Sequence, residues 1–225
     1  MPHRRFDVLS FDCYGTLIDW EAGIAGAFLT AARREGVTLD PGAVLAAYAE
    51  IEPAVEAKAY RPYREVLAEA AVEVARRLGW RINLPTAQFL PESLPRWKPF
   101  PDTGAALEAL ASAGYSLGIL SNVDDDLLAG TQLYLPVGFD LLVTAQQVGS
   151  YKPAPGHFLE ARRRLAGRRW LHAAQSYFHD VEPAAALGIP VVWINRKGER
   201  PTGAARPIGE VPDLAGLVEW LDRAP

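Results

Sequence analysis

FDCYGTLID, residues 11–19, closes the apolar run VLSF (8–11) and opens onto a tight glycine turn. An acid at the tip of a buried strand is costly unless it is paired or used. Asp12 is that acid, and Tyr14 stands two residues on, where a second acid could share the work. Cys13 alternates to the opposite face of the strand from Asp12, which suits a small buried packing residue better than a reactive thiol.

Outward from this tip the pattern changes twice. From about Glu21 to Arg81 apolar residues recur at three- and four-residue spacing, the signature of helix. GIAGAFLTAARREG stops at Gly36, PGAVLAAYAEIEPAVEAKAY is expected to bend or break at Pro53, and YREVLAEAAVEVARRLG closes at Gly79. After Pro99 strands alternate with helices: YSLGILSN, FDLLVTA, HAAQSYFHD (172–180) and IPVVWIN read as strands, the third running through to Asp180. Strands separated by helices imply an α/β fold built on a parallel sheet with right-handed crossovers. The expected organisation is therefore a Rossmann-like core, residues 1–19 and 99–225, with helices on both faces. An all-helical cap, residues 20–98, is inserted after the first strand. The segment RKGERPTGAARPIGEVPD reads as a connector without regular structure.

Composition narrows the function. Of the 225 residues 49% are hydrophobic and 22% charged, and the net charge is -4, with 23 basic residues spread along the chain. That profile suits an ordinary globular protein and points away from nucleic-acid or anionic-membrane surfaces. One cysteine excludes an intramolecular disulfide and a cysteine-rich metal site. Without a long apolar segment or an evident leader, a cytoplasmic setting is expected, as a monomer or homodimer.

In parallel α/β sheets the working groups lie at the C-terminal strand ends. Asp12, Ser121 with Asn122, and Asp180 all fall there, and Lys152 follows the LLVTA strand within GSYKPAPG. A carboxylate nucleophile, hydroxyl and amide donors, an ammonium and a second carboxylate together make a covalent hydrolase site. Singly, each residue has an ordinary explanation as a cap, turn or solvated charge. Their arrival at successive strand ends favours the functional reading.

FDCYGTLID, ILSNVD, GSYKPAPGHF and SYFHDVEPAAALGIPVVWINR resemble, in order, the four motifs of the haloacid dehalogenase superfamily. The resemblance spans essentially the whole chain. Asp-x-Tyr-Gly-Thr-Leu looks like the type II branch, that of L-2-haloacid dehalogenases and their azetidine-2-carboxylate hydrolase relative. It implies that Asp12 is the nucleophile, Thr16, Ser121 and Asn122 are donors, Lys152 is the cation and Asp180 the last acid. The expected substrate is a small 2-substituted carboxylic acid, contacted by Tyr14, Asn122 and Ser176.

A superfamily phosphatase would carry an acid at position 14 to protonate its alkoxide leaving group, and a phenol with a pKa near ~10 is a poor donor at neutral pH. It would also carry an acid at position 176, where this chain has serine. Mg2+, which favours carboxylate oxygens, would be left with Asp12, the Tyr14 backbone and Asp180. The expectation is thus a hydrolase needing no cofactor, with a Mg2+-dependent small-molecule phosphatase as the alternative. Halide needs no proton as it leaves, so attack by Asp12 at carbon fits the residues present. The type II pattern leads one to expect a cap arginine, yet AYAEIEP has none. Arg61 or Arg64, beside Tyr60 and Tyr63, is the candidate carboxylate clamp. Phe158 stands where that branch often has a tyrosine, and His179 is a second candidate base.

Overall fold

The computed structural model describes residues 4–223. In chain order the elements are β1 (Val8–Phe11), α1 (Trp20–Arg34), α2 (Pro41–Glu56), α3 (Tyr63–Arg77), α4 (Leu84–Ala87), α5 (Phe89–Ser93), α6 (Thr103–Ser112), β2 (Ser116–Ser121) and α7 (Asp125–Gln132). They continue with β3 (Leu141–Thr144), α8 (Ala145–Val148), α9 (Gly156–Leu165), β4 (Trp170–Ala174), α10 (Glu182–Ala186), β5 (Val191–Ile194), β6 (Gly209–Val211) and α11 (Leu214–Arg223).

Two compact units result. One holds residues 4–18, 99–122 and 134–223; the other holds 19–98 together with 123–133. The second stretch of the helical unit, read from sequence as part of the core, is tied in by Asp124. Its carboxylate accepts the backbone N–H groups of Tyr63 (2.7 Å) and Arg64 (3.0 Å), capping the N-terminus of α3. Pro62 precedes that helix and has no side chain able to cap it, so the acid from another segment fills the role. Helix α2 runs unbroken through Pro53. The proline lies three residues from its C-terminal end, where the loss of one N–H is tolerated better than in mid-helix.

The α/β unit is a six-stranded sheet in the order β3-β2-β1-β4-β5-β6, with every neighbouring pair parallel. The chain first winds from β1 outward through β2 and β3, then restarts on the other side of β1 with β4. β1 is therefore the strand at which the direction of winding reverses, and the crevice beyond its C-terminal end is the place where such sheets bind ligands. Both sheet faces are buried. Val8, Leu120, Val143, Val191 and Trp193 pack with Phe158 and Ala161 of α9 and Ala184 of α10 on one face. Leu9, Phe11, Ile119, Leu171 and Ala173 are buried on the alternate positions.

Two expectations need correction. β4 ends at Ala174, and Asp180 lies not on a strand but in a wide helical turn, Tyr177–Val181, where Asp180 N and Val181 N both donate to Ser176 O. Such π-type turns sit frequently at functional sites. The connector after β5 contains β6, a short parallel edge strand that three residues of Gly-Pro-rich sequence do not advertise.

Candidate active site

Asp12 follows β1 directly, and its N–H donates to Ala173 O of β4 (3.2 Å). The chain then reverses in a tight loop. Leu17 N and Ile18 N both return to Cys13 O, and Gly15 adopts a φ of 100°, a region that a side chain would strain. The loop delivers Thr16 beneath Asp12, and Thr16 Oγ1 donates to Asp12 Oδ2 at 2.9 Å while accepting Gln175 N at 2.9 Å. From below, Arg196 fixes the same loop. It donates to Thr16 O (2.8 Å), pairs through two 3.0 Å contacts with Asp102, and lies over the Phe100 ring.

Lys152 is the centre of the site. Its ammonium is buried and donates to Asp12 Oδ1 (2.9 Å), Asp180 Oδ1 (2.6 Å) and Leu120 O (2.9 Å), so all three protons are engaged. Its backbone is held by Asn122, whose amide oxygen accepts Lys152 N (2.7 Å) and whose nitrogen donates to Lys152 O (3.0 Å). Asn122, expected at the substrate, also braces the lysine. Two carboxylates share one ammonium, and their charges separate accordingly. Burial, helped by the charge on Asp180, lifts the Asp12 carboxyl above the ordinary carboxylate range against the pull of Lys152. Burial also pushes Asp180 up, but Lys152 and His172 outweigh it and hold that carboxyl down at about 2. Lys152 remains firmly protonated because the two acids overcome its own burial.

Ser121 ends β2, where the sequence placed it. Its carbonyl accepts His157 Nε2 (3.0 Å), while its hydroxyl is buried without a hydrogen-bond partner. Asp180 Oδ2 is likewise buried and unpartnered. The Ser176 hydroxyl caps the helical turn by accepting His179 N (3.1 Å) and lies 3.0 Å from His179 Nδ1. Tyr14 is half-buried in the loop after β1. In the helical unit Arg61 is paired with Glu69, and Arg64 is paired with Asp124 and Asp126. Both proposed clamps are thus held by acids of their own unit.

A magnesium ion would share its donors with the lysine here. Asp12 Oδ1 and Asp180 Oδ1 already face the same ammonium, Asp12 Oδ2 takes the Thr16 proton, and Asp180 Oδ2 has no partner. Among the described residues no group of three or more His, Cys, Asp or Glu converges to hold a metal. Magnesium would have to complete its six ligands with water and backbone carbonyl oxygens.

Sequence reading missed several supporting residues. His172, Ser10, Trp170, His157, Arg196 and Asp102 all touch the site residues or their neighbours. The signal available was a polar side chain inside an apolar strand, Ser10 in VLSF and His172 in WLHAA.

An acid at the tip of the central parallel strand, bridged by a buried lysine to a second acid, is an arrangement suited to covalent catalysis by a carboxylate. Residues 6–188 match the family model for haloacid dehalogenase-like hydrolases, and the chain belongs to that family. An (S)-2-haloacid dehalogenase of Pseudomonas putida is 30% identical over 70% of this chain and 74% of its own length. A phosphoglycolate phosphatase of Rhodospirillum rubrum is 28% identical over 94% of this chain and 89% of its own. An L-2-haloacid dehalogenase of Xanthobacter autotrophicus, solved with chloropropionic acid covalently bound, shares the fold. Its TM-score is 0.84 at 19% identity, covering 98% of this chain and all of the other. Among the described residues no helix is long and apolar enough to cross a membrane.

Proposed function

We propose that this chain hydrolyses a small 2-halocarboxylic acid, or a close carbon-substituted analogue, through an ester on Asp12 and without a metal. The carrying observation is the Asp12–Lys152–Asp180 bridge: one ammonium orients the nucleophile and leaves the second acid an open oxygen.

In the first half-reaction an Asp12 oxygen attacks C2 of the substrate, the carbon–halogen bond breaks, and halide leaves with the bonding pair. Each Asp12 oxygen accepts one hydrogen bond from the protein and so keeps a lone pair for attack. The raised Asp12 carboxyl makes a stronger nucleophile than an ordinary carboxylate once it is ionised. In the second, water attacks the carbonyl carbon of the ester while Asp180 Oδ2 accepts one of its protons. The tetrahedral oxyanion is met by donors already on Asp12, Thr16 Oγ1 and Lys152 Nζ. Collapse expels the 2-hydroxy acid, which takes the proton back from Asp180, and Asp12 then releases a proton to solvent. The unpartnered Ser121 hydroxyl supplies a further donor to substrate or oxyanion.

This reading is supported by a side-chain set that lacks an acid at positions 14 and 176, and by an ammonium that already bridges Asp12 and Asp180. It includes a small carboxylate substrate, a cytoplasmic setting in keeping with one reduced, buried Cys13, and no partner beyond a second copy. Single turnover in heavy-oxygen water tests it directly: the label enters the Asp12 carboxylate, and halide is released from a 2-halo acid in the presence of chelator. Label appearing only in product, or activity on a phosphate ester that returns with Mg2+, overturns it.

A further inference from the structure

One face of the sheet carries a line of polar groups through an otherwise apolar layer. Ser10 and His172 are register partners on β1 and β4, and Trp170 lies two residues before His172 on the same face. Trp170 Nε1 donates to Ser10 Oγ at 2.6 Å, Ser10 Oγ lies 2.8 Å from His172 Nδ1, and His172 Nε2 lies 3.0 Å from Asp180 Oδ1. All of these side chains are buried. Tryptophan can only donate and an ionised aspartate only accept, so the indole donates to serine and Nε2–H to aspartate; in a neutral ring the serine hydroxyl then donates to Nδ1. Phe158 stands edge-on to the imidazole, with ring centroids 5.3 Å apart, and packs against it.

We propose that His172, oriented by Ser10 and Trp170, is a positioning residue that locks Asp180 Oδ1 between two donors, so that Oδ2 alone faces the hydrolytic water. This rests on the reading of the site as one that forms and hydrolyses an ester at Asp12. During that cycle Asp12 loses its charge when esterified, and Lys152 is left with Asp180 as its one anionic partner. A carboxylate held by the lysine alone could pivot about that contact. The imidazole supplies the second fixed point. The ionisable groups around the pair are Lys152 and Asp12 on one side, His157 from α9, and His179 from the turn that carries Asp180. None of the other three histidine or acid side chains donates a hydrogen bond to Asp180, so His172 has no stand-in.

The test compares His172→Phe, His172→Gln and Ser10→Ala in the full chain. Loss of one hydrogen bond to a charged group corresponds to a fall of about ten- to a hundredfold in kcat. For His172→Phe that fall is expected with KM changed little, with accumulation of the ester, and with the acid limb of kcat displaced to higher pH. His172→Gln, which restores an N–H donor, recovers part of the rate. Ser10→Ala, which frees the ring but keeps it, moves the same limb by less and serves if His172→Phe does not fold. Unchanged kcat and acid limb in a folded variant, or equal defects in the phenylalanine and glutamine variants, overturn the proposal. The imidazole can also be read without substrate: 15N NMR of the wild-type protein should show His172 protonated at Nε2. A proton on Nδ1 alone sinks the positioning role whatever the reaction, whereas the correct tautomer in an enzyme without hydrolase activity sinks only the functional reading.

Discussion

The two units handle charge in opposite ways. In the α/β unit the acids and the lysine meet inside the protein: Lys152 is 1% exposed and Asp180 fully buried, and each hydrogen bond at the site has a specific partner. In the helical unit most ion pairs stay near solvent, the buried Asp124 being satisfied largely by main-chain N–H groups. Lys58 pairs with Glu69, Arg76 with Glu73 and Arg77 with Glu50, with side chains largely exposed. The difference matters because buried charges that lose a partner cannot turn to water, whereas exposed ones can. A substitution at the buried bridge therefore reads out function and stability together, whereas one at an exposed ion pair reads out almost neither.

Lys152→Met is the largest perturbation this comparison predicts. It strands two buried carboxylates with no countercharge, so turnover is lost and stability falls by about 3–5 kcal/mol, measured by urea unfolding. Stability near wild type would mean that the Asp12 and Asp180 charges are solvated after all, and the contrast between the units would collapse.

Asp12→Asn should separate the two readouts. Turnover falls by at least about a thousandfold, since the amide cannot form the ester. Stability at neutral pH should rise, by on the order of 1 kcal/mol. The sign follows from linkage. An acid whose folded pKa is raised is harder to ionise in the folded protein than in the unfolded chain, so above that pKa its charge opposes folding, and a neutral amide removes the penalty. Asp180 has the other sign: held at about 2 against the ordinary 3.8, it contributes stability that is complete above 3.8 and is lost as pH falls towards 2. The corresponding kinetic expectation is an acid limb in kcat/KM that lies above 3.8, with the rate falling as Asp12 takes up its proton. A limb at or below 3.8 would place the ionisation elsewhere.

How far the sequence reveals this site depends on the distance over which each residue acts. Asp12, Thr16, Ser121, Lys152 and Asp180 stand out because strand ends and turns are local features, and topology carries every strand end to one edge. Asp12 and Thr16 are four residues apart and meet within a single loop. Ser10 and His172 are separated by 162 residues and meet only through the register of β1 on β4, which nothing local specifies. Arg196 reaching Thr16, 180 positions away, is equally silent. Asp180 was expected at a strand tip and lies in a turn, because HAAQSYFHD is apolar enough to read as one strand while Ser176 caps a turn inside it. The arginines show a different limit. Charge on a helix announces only that it must be satisfied, and Glu69, Asp124 and Asp126 satisfy Arg61 and Arg64 within their own unit.

The smallest effects sharpen that last point. Asp124→Ala removes the acid that caps α3 through two backbone N–H groups, and should cost about 1 kcal/mol. Arg64→Ala, which cuts the same carboxylate's contact with a guanidinium 44% exposed, should cost less than about 1 kcal/mol, and less again at high salt. The cap survives the loss of the arginine because its donors are main-chain groups. If instead Arg64→Ala matched Asp124→Ala in urea unfolding, the ion pair and not the cap would be holding residues 123–133 to α3. Arg64 carries a second comparison in its kinetics: already engaged by two acids, it should leave KM for a 2-halo acid within about threefold of wild type. A rise well beyond that would return it to the role of substrate clamp and require Asp124 and Asp126 to release it.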